Sequence, residues 1–415
     1  MSLAARLRAV LGGPRWRKRL ALIVTNSANS LLVPLFSPVV SVLVVRLAGV
    51  GVWGDFVRAL VVAQLAAHLA GWGNKDFVLR EFARGPAGLA AAWQTSFLTR
   101  LALLGAALGV LAFFGYSPLR WALLSLLTAV LMLAQSFEVL VLYRRDFGFG
   151  LGVEALTVTL LAAPVLVLRQ ALTLDALLLI YIAANAVETL VYFLRYRRAV
   201  AARRVAGPQF GWLRRAGPFF LLGLSGLLQS RVDLYAAVTW LPREQVGHYQ
   251  VYSNLMIYLQ SVAAFVLTPF VKSLYRLRAR VLAGLALRFG LLGLLITAGG
   301  LPAAALLLRF GYRLHFAPGF FAAGALFVLP VYFYSPLIYA LFKLDKAFWV
   351  VAANGLGVLV NLALLAWWLP PLGALGAAWA AAVTQWALLL FYFTWGRQLS
   401  RVSDDLPLSD LPSAG

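Results

Sequence analysis

Seven arginines lie close together near the middle of this 415-residue chain, in the stretch Arg195-Tyr-Arg197-Arg198-Ala-Val-Ala-Ala-Arg203-Arg204-Val-Ala-Gly-Pro-Gln-Phe-Gly-Trp-Leu-Arg214-Arg215. On each side of it the sequence is a series of about six hydrophobic runs that contain few charges. Runs of about 20 apolar residues predict membrane-spanning helices, and loops rich in arginine and lysine stay in the cytoplasm. The stretch therefore predicts two membrane-embedded halves joined by one basic cytoplasmic loop.

The composition indicates a membrane protein over the whole length. Apolar residues make up 62% of the chain, charged residues 12%, and the mean hydropathy is +0.86. Helices of this composition have no polar face for water, so the bilayer is the solvent. The candidate spans are 20–45, 56–74, 97–116, 119–142, 151–168, 174–194, 216–240, 249–271, 282–308, 317–342, 347–369 and 373–395.

The predicted fold class is an all-α polytopic membrane protein with about twelve transmembrane helices in two six-helix lobes. We expect an N-terminal lobe over 1–196, a cytoplasmic basic linker over 197–215 and a C-terminal lobe over 216–396. The remaining segment 397–415 is acidic and contains proline, which predicts a disordered cytoplasmic tail. The first hydrophobic run continues into further spans and lacks a small-residue cleavage site, so it is expected to be a retained helix.

The net charge of +22 is explained by topology. With the N-terminus in the cytoplasm, 27 basic residues fall on inner segments and 7 on outer segments, which places both termini in the cytoplasm. The basic clusters lack the interleaved aromatic residues of a nucleic-acid groove, so no nucleic-acid partner is expected. The composition, which is rich in arginine, alanine, leucine and glycine and poor in lysine, is compatible with a GC-rich bacterial genome. The expected location is the bacterial cytoplasmic membrane.

An internal repeat relates the two halves. The segment from Arg46 to Gly54-Asp-Phe56 joins the first two spans, and Trp240-Leu-Pro-Arg-Glu-Gln-Val-Gly247-His-Tyr249 joins the seventh and eighth. In each segment a glycine precedes a polar residue and an aromatic residue at the start of the next helix. We expect Gly54 and Gly247 to form tight interhelical turns, within parallel repeats about an axis along the membrane normal.

Polar residues recur at helical spacing inside many spans, which gives each of these helices one polar stripe. The stripes are Asn26 and Asn29, Gln64 and His68, Gln135 and Glu138, Asn185 and Glu188, Gln229 and Asp233, and Asn354 and Asn361. They predict a hydrated cavity, because a charge at the bilayer centre costs roughly 2.5–3.5 kcal/mol. The alternative is that these groups form hydrogen bonds between packed helices.

Arg231 and Asp233 form the most distinctive polar pattern, in the seventh span. Residues two apart on a helix diverge, so Asp233 is poorly placed to neutralise Arg231, whose planar guanidinium suits phosphate or carboxylate oxygens. The alternative is an ion pair with another span, for instance with Glu188. For Glu138 and Glu154 local pairing with nearby arginines is favoured over cation coupling, and for His68 packing is favoured over a proton relay.

The chain lacks the motifs of the common enzymes. It contains no P-loop, no H-E-x-x-H, no G-x-S-x-G and no cysteine, and its histidines at 68, 248 and 315 are scattered. We therefore expect no enzyme activity, no cofactor and no metal site. A polymerase or glycosyltransferase would need a large external loop, and the predicted external loops are short.

Several stretches resemble the polysaccharide-biosynthesis flippases, which move lipid-linked oligosaccharides and belong to the multidrug/oligosaccharidyl-lipid/polysaccharide exporter superfamily. In the first half they are Val40-Ser-Val-Leu-Val-Val-Arg-Leu-Ala-Gly49 with Gly54-Asp-Phe, and Gly71-Trp-Gly-Asn-Lys-Asp-Phe-Val-Leu-Arg-Glu-Phe-Ala83. In the second half they are Gly217-Pro-Phe-Phe to Arg231-Val-Asp233, Val246-Gly-His-Tyr249 and Thr268-Pro-Phe270. Arg231 and Asp233 match an Arg-x-Asp pattern in the seventh helix of that family.

The resemblance implies an alternating-access flippase for an undecaprenyl-pyrophosphate-linked oligosaccharide, with two lobes around one positively charged chamber. Substrate-binding residues would be Arg231, Asp233, Asn26, Asn29, Gln64, His68, Asn185, Glu188, Asn254 and Gln260. Lys75, Arg80, Lys272 and Arg276 would form the cytoplasmic entrance. The motive force would be either the membrane potential or a cation gradient, and in the second case Glu138, Glu188 and Asp233 are the candidates for ion coupling. Arg231 is the expected contact of the pyrophosphate.

The partners implied are the lipid-linked glycan, membrane lipids, and a glycan polymerase or glycosyltransferases. Relatives that carry peptidoglycan precursors have basic residues in the first helix, where this chain has Asn26 and Asn29, which favours a different lipid-linked sugar. The alternative function is a cation-coupled multidrug antiporter of the same superfamily. Its chamber would be less basic and would contain a buried carboxylate, so the sign of the chamber's charge discriminates between the two.

Overall fold

The computed structural model describes residues 38–85, 88–112, 116–201, 207–274, 277, 279–344 and 346–404, and the regular structure of these residues is helical. The helices are α1 (Pro38–Ala48), α2 (Val50–Gly71), α3 (Asn74–Arg84), α4 (Leu89–Ala112), α5 (Pro118–Arg144), α6 (Phe147–Leu168), α7 (Leu174–Val200), α8 (Phe210–Trp240), α9 (Arg243–Leu267), α10 (Val271–Leu274), α11 (Ala279–Leu306), α12 (Pro318–Lys343), α13 (Ala347–Leu372) and α14 (Ala374–Asp404).

The prediction of an all-α membrane protein with two lobes is confirmed. Among the described residues, 9 helical segments are long and apolar enough to cross a membrane. Helices α4 and α8 correspond to the third and seventh predicted spans. Helix α1 corresponds to the C-terminal part of the first predicted span, whose earlier residues lie outside the described residues. The short helices α3 and α10 each follow the second long helix of a lobe, as the internal repeat suggests. The chain is a multi-pass membrane protein.

The basic linker is shorter than predicted, and so is the non-helical tail. Helix α7 runs to Val200 and α8 begins at Phe210, so only 201–209 connects the lobes, and 202–206 lie outside the described residues. Helix α14 continues to Asp404, eight residues into the predicted disordered tail, of which 405–415 lie outside the described residues. Arginine, alanine and leucine are strong helix formers, so these helices continue beyond their apolar runs.

Gly54 and Gly247 lie inside helices, which corrects the prediction of two tight turns. Each glycine is one turn into its helix, and the two helices pack against each other between the lobes. A Cβ atom at Gly54 would lie 1.8 Å from the carbonyl oxygen of Arg243, and one at Gly247 would lie 2.4 Å from that of Val50. The repeated glycines therefore allow backbone contact between the lobes. We call this contact the glycine crossing.

Polar contacts surround the glycine crossing. Trp53 Nε1 donates a hydrogen bond to Gln250 Oε1 at 2.7 Å, and both side chains are buried. Arg243 pairs with Asp55 at 3.4 Å, and Arg58 donates to the carbonyl oxygen of Leu241. This end of the bundle, which is the predicted outer end, is closed between α2 and α9.

Aromatic residues close the opposite end, between the α2–α3 junction and the first turns of α8. Trp72 stacks on Phe220 with ring centroids 4.0 Å apart, and its Nε1 donates to the carbonyl oxygen of Leu213 at 2.9 Å. Gly73 has φ +67° and approaches the backbone of α8 so closely that a Cβ would lie 2.6 Å from Phe220 N. The two lobes therefore contact each other at both ends of the bundle.

Candidate functional site

A cavity of about 360 Å³ lies between the closed ends, bordered by α2, α5, α6 and α7 of the first lobe and by α8 and α9 of the second. Six residues predicted for substrate binding or ion coupling line this chamber: Gln64, Glu138, Asn185, Glu188, Arg231 and Asn254. They come from five helices, so tertiary packing brings these polar side chains together. The chamber is therefore the candidate substrate site.

The charge of the chamber differs from the prediction. Within the described part of the chain its charged lining residues are Glu138, Glu154, Glu188 and Arg231. The expected positively charged chamber is thus wrong, because carboxylates outnumber the single guanidinium. The resemblance alone implied a positive charge, and most basic residues of the described chain lie in loops and at helix ends.

Arg231 faces the chamber and is held by one neighbour. Its Nη1 donates a hydrogen bond of 2.7 Å to Asn254 Oδ1 across the α8–α9 contact. No carboxylate among the described residues forms an ion pair with it, so the alternative pairing with Glu188 is not observed. A guanidinium has five N–H donors, and one bond to an amide leaves others for an anionic group of a ligand.

The three glutamates lie on consecutive helices: Glu138 on α5, Glu154 on α6 and Glu188 on α7. Glu188 is 5% exposed and accepts a hydrogen bond from Thr157 Oγ1 at 3.4 Å. The favoured local pairing of Glu138 and Glu154 with arginines is not observed among the described residues. Carboxylates that face a cavity inside the membrane can take up protons or cations from it.

Asp233 lies outside the chamber, contrary to the prediction. It is 3% exposed, and Tyr249 of α9 donates its hydroxyl hydrogen to the carboxylate. Because residues two apart on a helix point in different directions, α8 presents Arg231 to the chamber and Asp233 to the interior of the helix packing. Asp233 therefore joins α8 to α9.

We expect Asp233→Ala to lower the free energy of unfolding by about 1–3 kcal/mol, because it leaves the Tyr249 hydroxyl buried without its acceptor. Thermal unfolding of the purified protein in detergent measures the loss. Tyr249→Phe is the matched control and should destabilise the protein by a similar or smaller amount. If Asp233→Asn lost transport but kept its thermal stability, the result would instead show that Asp233 takes part in transport.

The other predicted site residues lie elsewhere. His68 is on α2, and a Cβ atom added at Gly223 of α8 would lie 3.6 Å from its ring. Gln260 donates from Nε2 to the carbonyl oxygen of Phe327 on α12 at 2.7 Å. Asn26 and Asn29 lie outside the described residues. Gln260 thus forms a hydrogen bond between packed helices, as the alternative interpretation of the polar residues proposed. His68 packs against α8, and its Nε2 atom is buried without a hydrogen-bond partner among the described residues.

The predicted entrance is only partly described. Lys75 and Arg80 are exposed on α3, and Arg80 lies over the ring of Phe219 at 5.8 Å. Lys272 is on α10, its side chain is not described, and Arg276 lies outside the described residues. Further exposed arginines at the same end of the bundle are Arg84, Arg144, Arg145, Arg195, Arg197, Arg198, Arg214 and Arg215. We call this arginine-rich surface the basic rim.

Sequence reasoning missed several chamber residues. Glu154 was considered for pairing with arginines and for cation coupling but was not among the predicted site residues. With Thr157 it lines the chamber from α6, and the two form a polar pair at i and i+3 that could have been recognised as a stripe. Gln250 and Asn254 on α9 are spaced at i and i+4, which is also the spacing of a polar stripe. The aromatic lining residues Trp53, Tyr181, Tyr235 and Tyr258 gave no such signal, because aromatic residues are common throughout the chain.

The two-lobed helical fold is similar to that of several solved transporter structures. The chain is similar to a structure described as "Lipid II flippase MurJ, inward closed conformation", with a TM-score of 0.69, 12% identity and coverage of 91% of this chain and 90% of that one. It is also similar to a multidrug resistance MATE family transporter of the MOP superfamily in its inward-facing conformation, with a TM-score of 0.64, 12% identity and coverage of 92% and 100%.

A third similar structure is the MATE multidrug transporter DinF-BH in complex with R6G, with a TM-score of 0.64, 10% identity and coverage of 92% of this chain and 96% of that one. No family model matches the sequence, and no curated protein matches it. Identities of 10–12% establish a shared fold. The substrate has to be inferred from the chamber.

Proposed function

We propose that this protein is an alternating-access flippase that moves an undecaprenyl-pyrophosphate-linked oligosaccharide across the bacterial cytoplasmic membrane. The observation that carries the proposal is the mixed polar lining of the chamber, which includes the amides Gln64, Gln135, Asn185, Gln250 and Asn254 besides the three glutamates. Sugar hydroxyls both donate and accept hydrogen bonds, and amides offer both partners. The tyrosine and tryptophan rings of the lining offer apolar faces beside these groups.

The charge distribution suggests where the two parts of such a substrate bind. The pyrophosphate is anionic, and the chamber contains one guanidinium, that of Arg231, among the described residues. The basic rim, which includes Lys75 and Arg80, attracts the anionic headgroup to the predicted cytoplasmic end. Arg231 then contacts the pyrophosphate, while the glycan occupies the amide-lined part of the chamber.

The glutamates of the chamber are the candidates for ion coupling. Glu138 and Glu188, together with Glu154, take up protons or cations when the chamber opens to one side and release them on the other. Asp233 has no part in this step, because it lies outside the chamber. The termini are cytoplasmic in this proposal, and a glycan polymerase or glycosyltransferases are the expected partner proteins.

A second candidate function is a cation-coupled multidrug antiporter. The sign of the chamber's charge, which was expected to discriminate between the two functions, favours it, because carboxylates exceed guanidinium groups in the lining. A carboxylate-rich chamber attracts a cationic substrate. However, sites for small lipophilic molecules are lined predominantly by apolar and aromatic side chains with few polar groups. About half of this lining is polar or charged, which favours a polyhydroxylated head group.

Transport by the purified full-length protein in proteoliposomes tests the proposal. We expect translocation of a fluorescent lipid-linked oligosaccharide, accelerated by an imposed proton or sodium gradient, and no efflux of a cationic dye. Glu188→Gln should remove the dependence on the gradient, because a neutral amide cannot exchange protons. Efflux of the dye without movement of the glycolipid would refute the flippase and establish the antiporter.

A further inference from the structure

A hydrogen bond between two residues of the chamber lining joins the lobes. Trp53 of α2 donates from Nε1 to Oε1 of Gln250 on α9 at 2.7 Å, and both side chains are buried. The bond lies at the glycine crossing, because Trp53 directly precedes Gly54 and Gln250 follows Gly247 by about one helical turn. It therefore belongs both to the closed outer end and to the candidate substrate site.

The bond from Trp53 fixes the orientation of the Gln250 amide. An indole N–H only donates, so it must meet the amide oxygen, and the NH2 group is turned away from the indole. That nitrogen has no acceptor among the described residues and retains accessible surface. Its N–H groups are therefore left for a ligand in the chamber. Without the indole N–H, no hydrogen bond from the described residues would hold the amide in this orientation.

The neighbouring amide of α9 is held from within its own lobe. Asn254 follows Gln250 at i+4, on the same face of the helix, and its Oδ1 accepts the hydrogen bond of 2.7 Å from Arg231. Arg231 lies on α8, so both partners of this bond belong to the second lobe. The Asn254 contact is thus independent of how the lobes are arranged, whereas the Gln250 contact requires the lobes to meet at the outer end.

We propose that Trp53 is a positioning residue, which turns the N–H groups of Gln250 toward the anionic part of the substrate only while the outer end is closed. This inference rests on the proposed function, and it deepens it by making the affinity for the anion depend on the conformation. When the outer end opens, Trp53 moves away with the first lobe and Gln250 stays on the second. A freely rotating amide also presents its oxygen, which repels phosphate oxygens, so the anion is released. Reciprocally, the bound anion stabilises the closed outer end.

Binding of radiolabelled inorganic pyrophosphate to the purified full-length protein tests this role without a glycan and without transport. The basic rim also attracts the anion, so the chamber site is defined as the binding that is lost in Arg231→Ala. We expect Trp53→Phe, which keeps an aromatic ring but lacks the N–H, to weaken this binding by roughly threefold or more. Gln250→Ala should weaken it by roughly tenfold, because hydrogen bonds to charged groups are the stronger ones.

A double-mutant cycle separates the orientation of Gln250 from a general disturbance of the chamber. If Trp53 acts through Gln250, Trp53→Phe has no further effect on pyrophosphate affinity in the Gln250→Ala protein. Additive losses, or wild-type affinity in a folded Trp53→Phe protein, would overturn the positioning role. Trp93→Phe is the matched control, because Trp93 is also buried and donates from Nε1, at 2.9 Å to the carbonyl oxygen of Ser136, but lies outside the chamber lining. It should leave the affinity unchanged.

The dependence on closure is tested in a Gly54→Leu protein. The glycine crossing cannot form there, since a Cβ atom at Gly54 would lie 1.8 Å from the carbonyl oxygen of Arg243. Trp53→Phe should then no longer change the affinity for pyrophosphate, and a loss of the same size in both backgrounds would overturn the dependence on closure.

The outcomes for this role and for the proposed function are distinguishable. Pyrophosphate binding that depends on Trp53, in a protein that does not translocate the glycolipid, would refute the proposed function and leave the positioning role standing. If Arg231→Ala removed no pyrophosphate binding, both the positioning role and the contact of Arg231 with the pyrophosphate would be overturned.

Discussion

Gly54→Leu will hold the protein open at the predicted outer end and stop transport. A Cβ atom at this position would lie 1.8 Å from the Arg243 carbonyl oxygen, so the glycine crossing cannot form with any larger residue. Overpacking of this kind destabilises a structure by about 1–3 kcal/mol. It affects only the conformation that is closed at this end, because the two backbones do not meet in the conformation that is open there. An energy of that size shifts an equilibrium between two states by roughly 5- to 150-fold.

Labelling of a single cysteine measures this shift without any assumption about the substrate. The chain contains no cysteine, and Leu60→Cys places one on the chamber wall. In proteoliposomes we expect a membrane-impermeant maleimide to label Leu60→Cys faster from the outer side when Gly54→Leu is also present. Transport should fall in parallel.

Gly51→Leu is the matched control for this experiment. Gly51 lies on the same helix, but a Cβ there would meet only the flexible side chains of Arg243 and Glu244, at 3.4 Å or more. It should therefore label and transport like the wild type. Wild-type labelling in a folded Gly54→Leu protein would show that the glycine crossing does not move during transport. Gly54→Ala provides a milder variant if the leucine impairs folding.

Arg231→Ala will reduce glycolipid transport by roughly 30-fold or more, since truncating one partner of a desolvated charge contact costs about 2–5 kcal/mol. Arg231 is the one cation in the described lining of the chamber, so no neighbour replaces it. The initial rate of glycolipid translocation in proteoliposomes measures the effect. The protein should remain folded, because Arg231 is half-buried and forms no ion pair with the described residues.

Two comparisons sharpen the interpretation of Arg231→Ala. Arg231→Lys keeps the charge but lacks the planar guanidinium, so it should restore part of the rate. If the substrate were a cationic drug, removing a positive charge from the chamber would preserve or increase transport. Unchanged glycolipid transport in Arg231→Ala would contradict the assigned contact with the pyrophosphate.

Helix geometry decides which of the predicted site residues line the chamber. Gln64, Glu138, Asn185, Glu188, Arg231 and Asn254 line it, whereas Asp233, His68 and Gln260 do not. Residues of the predicted polar stripes fall in both groups. A polar residue in a membrane helix can face water or a hydrogen-bond partner on the next helix, and its spacing is the same in both cases.

Composition and periodicity alone determined that this chain is a helical membrane protein with two lobes. An apolar run of about 20 residues has one stable solution in a bilayer, because its backbone hydrogen bonds must be satisfied within the helix. The sign of the chamber's charge was decided only by the tertiary structure. Most of the arginines lie at helix ends, whereas Glu138, Glu154 and Glu188 turn toward one another from separate helices. The tertiary structure also showed that the two repeated glycines, Gly54 and Gly247, form a contact between the lobes. The sequence could not show this, because the absence of a Cβ atom becomes important only where a second backbone comes close.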